Sequence, residues 1–280
     1  MRIGFILGHQ QPGPGSWLHQ VIGLLCSWGV TVDAIYPGRD LIDLSQVCVE
    51  HDLYVLRPSS SELVLSYAGI LHDLGARMLN PYPVSALLRD KMLTTHKLQK
   101  AGVPVPHTVV VLEAEQVREL LALDGGALIV KPCRGHLGEG VRLIRSPDDI
   151  QPLDGVHLAQ RYHRPDGPDH KIYSIGGHVF GVLRKFPAQT YEEKIGTPFT
   201  VEPELLSLAK RCGDVFGIDT FGVDVIVSDG KPYVVDMSEF PGFKGVPDAA
   251  TRIADYLSYH LGHVKQSSPP VDIIQTRAGS

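Results

Sequence analysis

The 280-residue chain has no surplus of positive charge, no apolar run long enough to cross a bilayer, and only four cysteines. Each shortage excludes something. With 31 acidic residues against 26 basic ones, the net charge of -5 argues against a dedicated nucleic-acid binder, although a local basic cleft can still hold a small anion. The longest apolar stretches fall short of the roughly 20 residues a membrane helix needs. The first residues run directly into an apolar strand pattern without the basic region and hydrophobic core of a secretion signal, so the expected location is the cytoplasm. Cys26, Cys48, Cys133 and Cys212 are scattered and show no paired metal-binding spacing. Cys26, Cys48 and Cys212 fall in apolar or amphipathic runs and read as buried thiols, and Cys133 reads as structural. No internal repeat is visible. The common phosphate-binding signatures are missing too. The one glycine-rich loop has neither the Gly-Lys-Ser/Thr ending of a P-loop nor the helix that follows a dinucleotide fingerprint, and it reverses the glycine spacing of protein kinases.

What is present describes an ordinary globular protein, with 43% apolar and 20% charged residues, at a length that suggests two or three lobes. Apolar and polar spacing predicts a strand over Arg2 to Leu7, a helix over Trp17 to Trp28, strands over Val30 to Tyr36 and Asp52 to Arg57, and a helix over Glu62 to Leu74. This alternation implies a small parallel sheet covered by helices, closing near Pro81-Tyr82-Pro83. A polar-faced helix over Arg89 to Ala101 ends at Gly102, and Pro104 starts an extended run to Leu112. A short helix over Ala114 to Leu121 precedes a strand at Ala127 to Lys131 and its hairpin partner at Val141 to Ile144. His157 to Tyr162, Lys171 to Ile175 and His178 to Lys185 read as strands of a larger antiparallel sheet. Glu202 to Phe216 is an amphipathic helix, Pro247 to Leu261 closes the fold, and residues 267–280 read as a loose tail.

Two stretches carry chemistry. In the first, the apolar runs around Gly222-Val223-Asp224 and Val234-Val235-Asp236-Met237-Ser238 flank a Ser228-Asp229-Gly230-Lys231 turn. A tight two-residue loop would place Asp236 opposite Val223, with the carboxylates on opposite faces. A turn followed by a glycine bulge adds one residue and places Asp236 opposite Asp224, with Ser238 on the same face. Burying a bare carboxylate is costly, and Mg²⁺ held by both oxygens would offset that cost. A strand-end polar residue and a turn cap explain the pair equally well on the residues alone. The second stretch is Val130-Lys131-Pro132-Cys133-Arg134-Gly135-His136-Leu137-Gly138-Glu139-Gly140-Val141. A lysine ends a strand, and three glycines then let the backbone turn N–H groups toward phosphate oxygens. Its strand–loop–strand setting suggests a flap over a triphosphate. The loop from His9 to Gly15 is either a structural turn or an acceptor-substrate loop at the end of the first strand.

From about Asp90 to about Gly245 the chain resembles the ATP-grasp superfamily. The resemblance rests on Arg89-Asp90-Lys91 leading a helix that ends in Gly-Val-Pro-Val-Pro, on Val-Lys-Pro with its Gly-x-x-Gly-x-Gly-Val loop, and on Gln160-Arg161-Tyr162. It continues through Asp169-His170-Lys171, Arg184, Gly-Val-Asp and Val-Asp-x-Ser-x-x-Pro-Gly, in that order. The glycine loop is similar to that of RimK-type glutamate ligases. Asp-x-Ser-x-Phe-Pro-Gly-Phe and Lys171-Ile172-Tyr173 look more like inositol-phosphate kinases. The resemblance implies an α/β protein of ATP-grasp architecture: an N-terminal parallel lobe over residues 1–82 and two α+β subdomains, 83–159 and 160–266, clamping ATP. It implies that Lys91 and Lys131 bind phosphates under the flap of Gly135, His136, Gly138 and Gly140. Gln160, Arg161 and Tyr162 would line the adenine hinge, where backbone groups read the base edge, and Asp169 would lie near the ribose. Lys171 and Arg184 would face the transferred phosphoryl group, and Asp224, Asp236 and Ser238 would hold Mg²⁺. Family members commonly carry Glu at the position of Asp236 and Asn at that of Ser238, and their Arg/Asn-rich loop after Arg184 is replaced here by Phe186-Pro187-Ala188-Gln189-Thr190-Tyr191. The implied function is an ATP- and Mg²⁺-dependent ligase joining a small-molecule or peptide carboxylate to an amine, with no nucleic-acid or membrane partner and with homo-oligomerisation left open. A hydroxyl kinase and a non-catalytic nucleotide-binding module are the alternatives. The ligase is favoured because most of the superfamily does that chemistry, an argument from fold analogy.

Overall fold

The computed structural model describes residues 1–8, 13, 15–39, 41–57, 61–135, 138–185 and 190–262. Residues 9–12 of the loop after the first strand, His136 and Leu137 of the glycine loop, residues 186–189 and the expected tail over 267–280 lie outside the described residues.

The N-terminal part alternates strand and helix: β1 (Arg2–Ile6), α1 (Trp17–Ser27), β2 (Thr31–Ile35), β3 (Leu53–Leu56), α2 (Glu62–Asp73) and the two-residue β4 (Met78–Leu79). Helix starts are written locally. Ser16 accepts from the His19 amide at 3.2 Å and Ser61 caps α2 in the same way. The strands form a parallel sheet in the order β2-β1-β3-β4. Ile3, Phe5, Leu53 and Val55 point to one face, into a core shared with α1, while Ile6, Tyr54 and Leu56 point to the other, against α2.

The helix expected over Arg89 to Ala101 is α4 (Lys91–Lys100), and a further helix, α3 (Tyr82–Leu88), precedes it where only the close of the first lobe was expected. Arg89 caps the first, and Asp90 breaks the run because its carboxylate accepts from the amides of Met92 and Leu93. A four-stranded antiparallel sheet follows, in the order β5-β8-β6-β7. It is built from β5 (Thr108–Val111), β6 (Leu128–Pro132), β7 (Arg142–Ile144) and β8 (His157–Arg161), with α5 (Ala114–Asp124) on one face.

The last sheet runs β11-β10-β9-β12-β13, comprising β9 (Asp169–Ile175), β10 (His178–Arg184), β11 (Thr197–Phe199), β12 (Phe221–Ser228) and β13 (Lys231–Ser238). The short α6 (Tyr191–Ile195) and α7 (Pro203–Phe216) precede β11 and β12, and α8 (Ala249–His260) ends the fold. Ile172, Val223, Val225, Val234 and Met237 cover one face of this sheet against α7. Tyr173, Ile175 and Val182 occupy the other face and join the core of α1, α8 and the parallel sheet.

Two of the three buried-thiol expectations fail. Cys212 is buried on α7, and burial pushes its thiol up to about 12. Cys26 and Cys48 are exposed. Cys26 sits on the outward side of α1, whose inward face is supplied by Leu18, Val21 and Leu25.

Candidate functional site

The hairpin of β12 and β13 brings the two carboxylates together by a route the sequence did not suggest. Ser228 pairs with Lys231 across a tight two-residue loop, with Asp229 and Gly230 at φ +51° and +69°, so no bulge lies at the turn. The register instead shifts inside β13. Val225 pairs with Val234 while Asp224 pairs with Asp236, leaving Val235 as the extra residue. This shift keeps Val234 in the apolar face against α7 and turns Asp236 and Ser238 to the opposite face.

That opposite face collects the charged groups. Lys171 on β9 pairs in register with Asp224, and Asp169 with Arg184. Asp169, Lys171, Tyr173, Arg184, Asp224, Asp236 and Ser238 therefore share one face of the sheet. Gly222 sits among them, and a Cβ there would meet Pro241 at 3.0 Å and both Tyr173 and Ser238 Oγ at 3.3 Å. Lys171 Nζ is buried and lies 2.7 Å from Asp224 Oδ1. Burial by itself would depress the Lys171 ammonium, but Asp224, Tyr173 and Asp236 outweigh it and its pKa stands above the ordinary value. Asp169 is driven up to about 6, first by burial and then by the charge of Asp224. Arg184 donates to the Tyr173 hydroxyl at 2.6 Å, while its Nε is buried without a partner among the described residues. The Asp236 carboxylate makes no hydrogen bond or ion pair among the described residues. Glu239, which the sequence reading passed over, is buried next to this face and stands at about 7 because of that burial.

The four-stranded sheet closes over the carboxylate end. Lys131 and Gln160 belong to the face turned away from α5, because Lys131 pairs with Leu158 and Ile129 with Gln160. Lys131 Nζ is buried and donates to the carbonyl of Val235, the bulged residue, at 2.8 Å. Its pKa is lowered by burial, with Asp236 opposing the shift. Lys91 bridges in the reverse direction, with Nζ donating to Gly135 O at 2.7 Å. Gly138 and Gly140 take φ +77° and +72°, and a Cβ on Gly140 would lie 2.8 Å from the Pro132 ring. At the expected hinge, Gln160 is buried with its amide on Thr108 Oγ1 at 3.0 Å, and Arg161 is exposed. The amides of Arg161 and Tyr162 are engaged by the carbonyls of His107 and Ala127.

A family model for the RimK-like ATP-grasp domain matches residues 88–258. The chain belongs to the RimK-like ATP-grasp family. Among its relatives, a glutamate–LysW ligase, ArgX, of Sulfurisphaera tokodaii is 26% identical over 234 residues, covering 77% of this chain and 83% of the relative. A probable alpha-L-glutamate ligase of Maridesulfovibrio salexigens is 25% identical over 189 residues, covering 60% of this chain and 63% of the relative. Solved structures carry the same fold. A RimK-domain ATP-grasp protein of Sphaerobacter thermophilus superposes with a TM-score of 0.72 at 18% identity, over 91% of this chain and 99% of that one. The ATP-grasp ligase PsnB, complexed with a minimal precursor, Mg and ADP, superposes with a TM-score of 0.66 at 17% identity, over 93% of this chain and 97% of that one.

As an ATP-grasp protein, the chain is a mixed α/β structure with one parallel and two antiparallel sheets. The donor set fits Mg²⁺, since Asp224 and Asp236 stand directly opposite each other with Ser238 on the same face, all hard oxygens. Among the described residues no cluster of three His, Cys, Asp or Glu occurs, so oxygens from outside the protein would have to complete the coordination. None of its described helices is long and apolar enough to cross a membrane.

Proposed function

We propose that this chain is an ATP- and Mg²⁺-dependent ligase that joins a carboxylate to an amine through an acyl phosphate, releasing ADP and phosphate. The observation that carries the reading is the paired Asp224 and Asp236, facing Lys171 and Arg184 on one sheet and Lys131 on the other. Phosphoryl transfer needs positioning and charge neutralisation more than covalent help, and these groups supply both. Lys131 and Lys91 hold the triphosphate, exchanging the carbonyls of Val235 and Gly135 for phosphate oxygens. The loop from Gly135 to Gly140 covers it with backbone N–H groups and keeps water out. The buried Gln160 and the Arg161–Tyr162 backbone border the base, and Asp169 lies on the ribose side of the carboxylates.

Asp224, Asp236 and Ser238 hold Mg²⁺, which supplies charge neutralisation at the phosphates when bound. Lys171 and Arg184 orient the substrate carboxylate for attack on the γ-phosphorus, and the amine then displaces phosphate from the acyl carbon. The substrates are small-molecule or peptide carboxylates and amines. In support, one relative's name couples glutamate with LysW, and PsnB is held with a precursor peptide.

The test is ADP release from purified protein with Mg²⁺-ATP and mixtures of carboxylates and amines, followed by mass spectrometry of the products. An amide product supports the ligase. An acceptor gaining a phosphoryl group would make the chain a kinase, and nucleotide binding without ADP release from any mixture would leave only a binding module.

A further inference from the structure

The third strand of the parallel sheet runs out on an arginine that the ATP half of the site does not use. Leu53, Val55 and Arg57 alternate onto one side of β3, the side whose core includes Tyr173, Phe240 and Phe243. The Arg57 amide donates to Ile6 O at 3.2 Å, which fixes the residue where two neighbouring parallel strands end. Open α/β sheets receive ligands at that edge.

The Arg57 guanidinium lies 4.8 Å from the centroid of the Trp17 ring. Trp17 meets Phe243 edge-on at 5.8 Å, and Phe243 lies 5.6 Å from Tyr173, whose hydroxyl accepts from Arg184. A continuous aromatic path therefore leads from Arg57 to the charged face of the five-stranded sheet. Arg57 is half-buried, and among the described residues no carboxylate pairs with it. Burial lowers its pKa and no acidic neighbour opposes the shift. A guanidinium stacked on indole keeps its in-plane N–H donors for a planar anion, which a lysine ammonium cannot match. Lys91, Lys131, Lys171 and Arg184 already serve the phosphates and the reacting carboxylate, so Arg57 remains for a different negative group.

We propose that Arg57, on its Trp17 platform, is a specificity-determining residue that binds a substrate carboxylate taking no part in bond formation. The proposal rests on the ligase reading above and adds a second anionic group to the substrate. In protein saturated with Mg²⁺ and AMPPNP, calorimetry compares L-glutamate, as the anionic probe, with its diamide, which keeps the α-amino group and lacks both carboxylates, for the native chain, Arg57→Gln and Arg57→Lys. Arg57→Gln should weaken L-glutamate binding by about thirtyfold, as loss of one partner of a charge pair does, and leave the diamide unchanged. Arg57→Lys should fall between the two. AMPPNP affinity should be the same in all three proteins, which also shows that the variants fold. Equal L-glutamate affinity in the native and Arg57→Gln proteins overturns the proposal, as does a native protein that binds the diamide as tightly as the acid. A native protein unable to bind AMPPNP would remove the ATP reading itself, and the anchor with it.

Discussion

Asp224 and Asp236 face each other across one ladder position but have different neighbours, and substitution should separate them. Asp224 is held 2.7 Å from a buried lysine, whereas the Asp236 carboxylate has no hydrogen bond or ion pair among the described residues. Both Asp224→Asn and Asp236→Asn should abolish ADP release, because each removes charge from the proposed Mg²⁺ site. Only Asp224→Asn should also lower thermal stability, by about 1–3 kcal/mol, since Lys171 then stays buried against a neutral amide. Two variants with normal turnover would discard the metal assignment, and equal melting temperatures would discard the Lys171 pairing. The same substitution reports on Asp169. Burial keeps its carboxyl high and Asp224 adds to that, so Asp224→Asn should move the titration seen by ¹³C NMR down from about 6. A raised carboxyl contributes stability that is present below its unfolded value and lost as pH rises through the folded one. Nucleotide-free protein should therefore lose this contribution between the ordinary aspartate value of 3.8 and about 6. Among the lysines, Lys131 is buried between the sheets and Lys91 is not. Lys131→Met should cut kcat by roughly 10²-fold or more and raise the ATP KM, and Lys91→Met should mainly weaken ATP binding. Steady-state kinetics showing small, equal effects would place the phosphates elsewhere.

The bulge at Val235 is the element on which the site turns. It reverses the face of every later residue in β13 and offers its own carbonyl to Lys131. Deleting Val235 should leave a regular ladder with Asp236 still opposite Asp224, but it removes the carbonyl that Lys131 Nζ bonds, so the buried lysine loses its acceptor and the protein should lose about 1–3 kcal/mol of stability. Val235→Ala keeps the extra residue and its carbonyl and should keep its stability, so a deletion variant as stable as Val235→Ala would refute the role of the bulge in seating Lys131. The facing carboxylates were legible from the sequence because alternation admits only two registers, but the position of the bulge was not. A glycine bulge at the turn and a mid-strand bulge give the same pairing at Asp236, and Lys131, 104 residues away, marks the actual position. The order of the long strands and helices was legible from periodicity. The helix over 82–88 was hidden by Pro81 and Pro83, which read as a lobe boundary, and β4, α6 and β11, of two, five and three residues, are too short to show a period. Arg57 had no sequence signal beyond ending a strand, since its meaning depends on Trp17 and Phe243. The glycine flap repeats the point in the backbone. Gly138 has φ +77° with open space around its Cβ position, so Gly138→Val should act through conformation rather than clash. It should impair ADP release more than thermal stability. In the native protein, hydrogen exchange at the flanking amides of Arg134, Gly135 and Gly138 to Val141 should slow when Mg²⁺-AMPPNP saturates it. Unchanged exchange in saturated protein would rule out ordering by phosphate.

At the scale of the whole molecule, the cores show which parts can move against each other. One core runs continuously from the parallel sheet through α1 and α8 into Tyr173, Ile175 and Val182, so the N-terminal lobe and the five-stranded sheet share their apolar interior. The four-stranded sheet has a core of its own, with Val111, Val117, Leu128, Val130, Ile144 and Ala159 packed under α5. Lys131 reaches out of that unit to Val235 O, and Lys91 reaches into it at Gly135 O. Such polar contacts can exchange for phosphate oxygens without opening either core, which is what a jaw closing on a nucleotide requires. Core truncations should then report separately. Leu128→Ala and Phe243→Ala each remove a fully buried side chain and should cost about 2–5 kcal/mol. In Leu128→Ala, native-state hydrogen exchange should lose protection across β5 to β8 while β1, β3 and β9 keep theirs. In Phe243→Ala, β1, β3 and β9 should weaken together, because that ring packs with Trp17 of α1 and Tyr173 of β9. Saturating Mg²⁺-AMPPNP should restore the jaw in Leu128→Ala, since a ligand bound across both sheets couples their stabilities. Uniform loss of protection throughout the chain in both variants would mean that the three sheets unfold as one unit, and the independent jaw would have to be abandoned.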